Sequence, residues 1–301
     1  MVQIEIVEVG PRDGLQNEPT IVSTAAKLDL VADLLAAGVT RMEATSFVNP
    51  RRVPQMADAD MLSASLPRGA CRYIGLVLNG RGAERALEAG LDELGAVCVA
   101  TDGLGIANQG QNSEESVASA LAIIAAAQAA GRTGQVTIAA SFGCPYEGEV
   151  DEGRVVAIAE RLAEARPSEI ALADTIGVAV PKAAGRLVRR VAEAVGPIPV
   201  RAHFHDTRNT GIANVWAAVE AGARTIDASL GGLGGCPFAK GAAGNVATED
   251  VVYMLERSGV RTGLDLDALL AASERLSAVM GRALPAMLGR AGRFPATTSR
   301  S

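Results

Sequence analysis

Short runs of β-branched and aliphatic residues recur along the chain, each followed by a longer stretch with apolar positions at helical spacing. The strand-like runs fall at residues 3–9, 40–46, 73–78, 94–100, 135–141, 169–173, 198–205 and 224–229, and helices are predicted at 25–37, 54–65, 81–89, 113–130, 152–165, 181–195 and 212–221. Several of these helices end at a glycine suited to a C-cap. Strand alternating with helix requires parallel pairing through crossovers, and eight units in about 250 residues is the size of a closed (β/α)8 TIM barrel. A doubly wound sheet is the second architecture with this alternation. It favours a Gly-rich phosphate loop after the first strand, where this chain has Gly10-Pro-Arg-Asp-Gly-Leu-Gln16. One domain is expected over 1–301: a barrel over about 3–260, then an extra C-terminal helical segment, with a helix at 266–282, and a polar tail within 261–301.

Composition narrows the function classes. The chain has 49% hydrophobic residues, 3% aromatic residues and a formal net charge of -6, with a sequence pI near 5.2. An acidic chain poor in aromatic rings lacks the basic footprint and stacking surfaces of a nucleic-acid binder, and an anionic membrane surface is disfavoured likewise. The Ala-rich stretch 120–130 is too short to span a bilayer. The N-terminus runs straight into a strand pattern, so the expectation is a cytoplasmic protein without a targeting segment. The four cysteines, Cys71, Cys98, Cys144 and Cys236, form no CxxC pair, which points to reduced thiols rather than disulfides or a zinc knuckle. Cys71 and Cys98, in or beside strands, read as small buried hydrophobes.

The chemistry of such a barrel sits at the C-terminal ends of its strands and in the loops beyond them. The polar residues there are Arg12, Asp13 and Gln16 after strand 1, Glu43 on strand 2, Asn79 after strand 3, Cys144 after strand 5, Asp174 at strand 6, His203 and His205 on strand 7, and Cys236 and Asn245 after strand 8. His203 and His205 are the chain's only histidines. Period-two alternation places both imidazoles on one face and Phe204 on the other, an arrangement suited to chelating one cation. Asp13 and Asn245 are the oxygen donors that barrel closure would bring near. Two imidazoles with hard oxygens suit Mg2+ or Mn2+, whereas Cys236 as a ligand would favour zinc. In the bland alternative, Asp13 shapes a turn and Asn245 caps a helix beginning at Ala247.

Breaking a carbon–carbon bond beside a carbonyl needs an electron sink, either a Schiff-base lysine or a metal that polarises the oxygen. The three lysines are Lys27 and Lys182, in predicted outer helices, and Lys240, in the loop after strand 8. No strand carries one, so the pattern favours a metal. The Gly-rich stretch from Gly231 to Asn245 lacks the Gly-Lys-Ser/Thr ending of a P-loop and reads as a lid that delivers the Cys236 thiol.

The segments Val7-Glu-Val-Gly-Pro-Arg-Asp-Gly-Leu-Gln-Asn-Glu-Pro19, Glu43-Ala-Thr-Ser-Phe-Val-Asn-Pro50, Val53-Pro-Gln-Met-Ala57, Gly143-Cys-Pro-Tyr-Glu-Gly148, Ala173-Asp-Thr-Ile-Gly177, His203-Phe-His-Asp-Thr207 and the 231–250 stretch resemble those of 3-hydroxy-3-methylglutaryl-CoA lyases, in order along the chain. The resemblance implies a divalent-metal TIM-barrel lyase of the leucine-degradation and ketone-body type, which splits that acyl-CoA into acetyl-CoA and acetoacetate. It implies metal binding by Asp13, His203, His205 and Asn245, an enolate-stabilising Arg12, a catalytic thiol at Cys236 and supporting roles for Glu43 and Asp174. Either His203 or Asp13 would be the base.

Two stretches depart from that pattern. Residues 100–112 keep only Asn108 of the family's stretch and have lost its lysines, and Arg208 follows the histidine pair, where a charge is expected near the pocket mouth. Both leave the acyl group open to a citramalyl-type or longer glutaryl-type thioester. A Claisen-condensing synthase is the less favoured enzyme reading, because such proteins carry a long C-terminal region. A catalytically silent acyl-CoA-binding barrel would be expected to lose part of the site set. The final helix and the Ala-rich faces offer a surface for a homodimer or higher homo-oligomer.

Overall fold

The computed structural model of the chain describes residues 3–235 and 244–294. Eight parallel strands close into a barrel in sequence order: β1 (Glu5–Glu8), β2 (Arg41–Ser46), β3 (Arg72–Val77), β4 (Glu93–Val99), β5 (Thr133–Ala139), β6 (Ile170–Asp174), β7 (Val200–Phe204) and β8 (Thr225–Ala228). The seam runs from Glu5 opposite Thr225 to Glu8 opposite Ala228. The alternation therefore folds into a (β/α)8 TIM barrel, with every strand end within two residues of its expected place.

The helices are α1 (Thr24–Ala36), α2 (Ala59–Ser65), α3 (Gly80–Glu88), α4 (Asp102–Gln109), α5 (Ser113–Ala129), α6 (Glu152–Ala163), α7 (Pro181–Val195), α8 (Gly211–Glu220) and α9 (Thr248–Arg257), followed by α10 (Leu266–Met280) and α11 (Leu288–Ala291). Local chemistry sets their starts. Ser23 accepts the Ala26 N–H, Asn112 and Glu115 form a reciprocal capping box on α5, and Pro181 opens α7. The predicted helix at 54–65 is broken into a 3-10 turn at Pro54–Met56 and α2. The buried Lys27 amine donates to the Gln55 carbonyl and to Asp58 Oδ1 at the junction of the two. A helix absent from the sequence expectation, α4, lies within residues 100–112.

The main core lies between sheet and helices, where Leu34, Met42, Ile124, Leu162, Phe204 and Leu255 are fully buried. The lower interior of the barrel is ionic. Arg41 donates to Glu93 at 2.7 Å, to Glu169 at 3.0 Å and to Glu5 at 3.2 Å, and Arg201 Nε lies 3.5 Å from Glu169 Oε2. Among the described residues, no helix is long and apolar enough to cross a membrane.

Glu8 closes the top of the seam. Its Oε1 accepts the Gly10 and Leu230 N–H groups at 2.7 and 2.9 Å, and its Oε2 accepts the Thr248 hydroxyl at 2.6 Å. Burial raises this carboxyl to about 7, against the opposing pull of those hydrogen bonds. The unfolded chain ionises first as pH rises through the ordinary carboxyl range, so the folded state binds the extra proton and loses stability up to the folded value. Glu8→Gln keeps the acceptor and cannot ionise. We expect equal stability for variant and wild type near pH 4 and, above pH 7, a variant more stable by at most roughly 3 kcal/mol and with a higher thermal midpoint. Thermal scans at both pH values check this, and a variant less stable at pH 8 would contradict it.

Candidate active site

The strand β1 ends in a single wide turn, Gly10–Gly14, in which the Arg12, Asp13 and Gly14 N–H groups all point at the Val9 carbonyl at 3.2, 2.7 and 3.1 Å. The turn needs its glycines. A Cβ at Gly10 would stand 2.5 Å from Glu8 Oε1, and one at Gly14 2.7 Å from Ser229 Oγ. This tight packing projects Arg12 and Asp13 over the barrel mouth.

His203 and His205 leave the end of β7 on the same face, with ring centroids 5.1 Å apart. Phe204 points the other way and packs on Phe142 at 5.6 Å, as the alternation predicts. Past β8 the chain returns along β7: Val246 N–H donates to Phe204 O at 3.1 Å and Asp206 N–H to Gly244 O at 2.9 Å. The resulting bridge sets Asn245 opposite His205. Asn245 is therefore no helix cap, because α9 begins at Thr248 with Ala247 before it.

Four of the expected residues thus meet. Asp13 Oδ2 lies 4.0 Å from His203 Nε2 and 3.8 Å from His205 Nε2, and it accepts the Asn245 amide at 2.7 Å. Asp13, His203 and His205 each offer a ligand atom, and these atoms all lie within 4.8 Å of one another. Among the described residues, the buried Asn245 Oδ1 and His205 Nδ1 have no hydrogen-bond partner. A buried amide oxygen without a donor costs free energy, and a cation between Asp13 and the imidazoles would supply what Asn245 Oδ1 lacks after a turn of its amide. The donor set of one carboxylate, one amide oxygen and two imidazoles fits Mg2+ or Mn2+.

Arg12 ties the cluster to the barrel interior. Its Nη1 donates to Asp13 Oδ1 and its Nε to Glu43 Oε2, both at 2.6 Å. The two carboxylates respond oppositely. Burial pushes the Asp13 carboxyl up, but Arg12 and the two imidazoles outweigh it and hold the group well below the usual carboxylate range. Burial raises Glu43, with the negative charges of Asp13 and Asp227 adding to the rise and Arg12 opposing it. Arg12 and the imidazoles thus keep Asp13 ionised as an oxygen donor, while burial works against the charge on Glu43.

These side chains open into a cavity of about 610 Å³. Gln16, Glu43 and Asn79 line it; Gln16 accepts the Ser46 hydroxyl at 3.3 Å, and Asn79 also caps α3 through the Gly82 N–H. The departing stretch 100–112 contributes Leu104, Asn108, Gln109 and Gln111 to the wall. Asp174 is elsewhere: its two oxygens accept the Val178 and Ala179 N–H groups, each at 2.9 Å, so it shapes the turn after β6 and does not line the cavity. Arg208, whose charge was expected near the mouth, is exposed and does not line the cavity; its Nη1 donates to the Ile176 and Gly177 carbonyls. Cys144 is buried and takes the Thr101 hydroxyl at 3.1 Å. The Cys71 and Cys98 thiols are buried and pushed up to about 12 by desolvation. Cys236 and Lys240 lie outside the described residues.

Sequence reasoning missed Arg201 and Asp227. Both line the same cavity. The signal was available in the alternation Arg201, His203, His205 on β7 and in Asp227 on β8, charged residues at inward-facing strand positions.

A closed parallel barrel with an acid–base cluster and a metal-ready donor set at its C-terminal mouth defines a (β/α)8 enzyme. Residues 3–276 match the HMGL-like family model, and the chain belongs to that family. It is 46% identical to the (R)-citramalyl-CoA lyase of Chloroflexus aurantiacus, covering 97% of this chain and 96% of that protein. It is 40% identical to the 3-hydroxy-3-isohexenylglutaryl-CoA/hydroxy-methylglutaryl-CoA lyase of Pseudomonas aeruginosa, covering 96% and 98%. Among solved structures, an HMG-CoA lyase from Acinetobacter baumannii in complex with coenzyme A and 3-methylmalate is 41% identical, with a TM-score of 0.93 and 98% of each chain covered.

Proposed function

We propose that this protein is a carbon–carbon lyase that cleaves a 3-hydroxy-3-methyl diacid thioester of coenzyme A by a retro-Claisen reaction. The observation that carries the reading is the convergence of Asp13, His203, His205 and Arg12 within one cavity. A divalent cation, Mg2+ or Mn2+, held by Asp13, His203, His205 and Asn245 would polarise substrate oxygens and acidify the 3-hydroxyl. Asp13 and His203 are the two groups placed to take the hydroxyl proton. The C2–C3 bond then breaks, leaving a ketone on one product and an enolate on the thioester. Arg12, with donors fixed before the reaction, is placed to offset the enolate charge. Cys236 is proposed to protonate the enolate carbon and release acetyl-CoA. Glu43 orients Arg12, and Gln16 and Asn79 contact the acyl group.

For the substrate, (R)-citramalyl-CoA is the first candidate, giving acetyl-CoA and pyruvate. It is supported by the 46% identity to a lyase of that name and by α4, whose departing residues Leu104 and Gln109 stand on the cavity wall. The second candidate is 3-hydroxy-3-methylglutaryl-CoA, giving acetyl-CoA and acetoacetate, supported by the shared motifs and the 40% identity to a lyase that carries that name. A panel of both thioesters with Mn2+ decides: pyruvate release with the higher kcat/KM is the expected outcome. Chelator should abolish turnover and added Mg2+ or Mn2+ restore it. Absence of acetyl-CoA from both thioesters would refute this choice of substrates.

A further inference from the structure

Two buried charged groups on the cavity wall have no part in the chemistry above. Asp227 on β8 stands in register with His203 on β7, and its Oδ2 is 3.1 Å from His203 Nδ1. Its other oxygen, Oδ1, faces Arg201 Nε at 3.4 Å. Arg201 is itself 3% exposed and is held through Nη2 by Gln135 and Thr137. The opposite nitrogen of His203, Nε2, faces Asp13. His205 has no such partner, because its Nδ1 is buried and unbonded.

An ionised carboxylate only accepts hydrogen bonds, and a neutral imidazole has one N–H. A ring nitrogen held against Asp227 must therefore carry that hydrogen. We propose that Asp227 is a positioning residue that fixes His203 as the Nδ1–H tautomer, so that Nε2 presents its lone pair to the metal position, with Arg201 orienting the carboxylate. This rests on the metal reading of the site. Partners of this kind typically alter metal affinity by about 10- to 100-fold.

Arg201 makes the amide variant informative. In Asp227→Asn the carboxamide oxygen would turn to Arg201, which has only donors, and the amide N–H would face His203 Nδ1. The ring would then carry its hydrogen on Nε2 and hide the ligand atom. Asp227→Ala removes the lock without imposing the wrong tautomer.

With only two histidines in the chain, two-bond 1H–15N spectra of histidine-labelled, metal-free protein, recorded above the imidazole titration, read both rings directly. His205→Gln assigns them. The expected result is a wild-type His203 protonated on Nδ1, an Asp227→Asn variant protonated on Nε2, and Mn2+ affinity by electron paramagnetic resonance at least about tenfold weaker in Asp227→Asn, with Asp227→Ala between. A wild-type His203 protonated on Nε2, or Asp227→Asn binding Mn2+ as tightly as wild type, overturns the proposal. The wild-type spectrum decides even if a variant fails to fold. A wild-type protein that bound no Mn2+ would refute the metal reading instead, and the tautomer would still be read without metal.

Discussion

Alanine in place of His205 is expected to weaken Mn2+ binding by more than about a hundredfold, beyond what loss of an outer partner removes, and to eliminate thioester cleavage. The fold should survive. His205 Nδ1 has no partner, so truncation leaves no side-chain acceptor newly unpaired at that nitrogen, and the ring sits at the mouth beside Asn245 rather than in the helix-facing core. Titration with Mn2+ followed by paramagnetic resonance, beside a thermal scan of the metal-free protein, separates the two effects. A variant that keeps the wild-type thermal midpoint and also binds Mn2+ normally would remove His205 from the donor set.

The second large effect falls on Arg12. Arg12→Gln should lower kcat by about 10²–10³, the usual consequence of removing one donor aimed at a developing oxyanion, with a much smaller change in KM. It should also destabilise the metal-free protein, because Glu43 and Asp13 lose the cation between them and a buried carboxylate without its partner is costly, about 3–5 kcal/mol. The Asp13 carboxyl would rise from its depressed position, since Arg12 is the strongest of the influences that lower it. Added Mn2+ should recover part of the lost thermal midpoint in the variant and more than it adds to the wild type, because the cation would take over the neutralisation of Asp13. Equal kcat in variant and wild type would show that Arg12 only braces the site.

The barrel and most of its site were legible before any coordinates. Eight apolar runs alternating with helical stretches leave little else for the chain to form, and the pair His203 and His205 advertised itself through period-two spacing and scarcity. The misreadings have specific causes. Asp174 looked like a pocket residue because it ends a strand, but a carboxylate at a strand end is equally suited to collecting the N–H groups of the next turn, as it does with Val178 and Ala179. Arg208 was expected near the pocket mouth, but its guanidinium caps the Ile176 and Gly177 carbonyls, which are distant in sequence. The helix α4 was hidden by Gly103 and Gly105, poor helix formers. Gly105 is required there all the same, since a Cβ would stand 2.5 Å from Gln111 O. Asp227 was invisible as a partner of His203 because only the β7–β8 register joins them.

The ionic lower half of the barrel bears on how this lineage can change. Arg41 is shared among Glu5, Glu93 and Glu169, and Arg201 links Glu169 to Asp227. Removing Arg41 strands the buried Glu93 and Glu169, whereas replacing several members together with apolar residues of similar volume is often tolerated. Single-step change is therefore more costly in that half than at the rim, where α4 lines the cavity and offers the route to a new acyl preference.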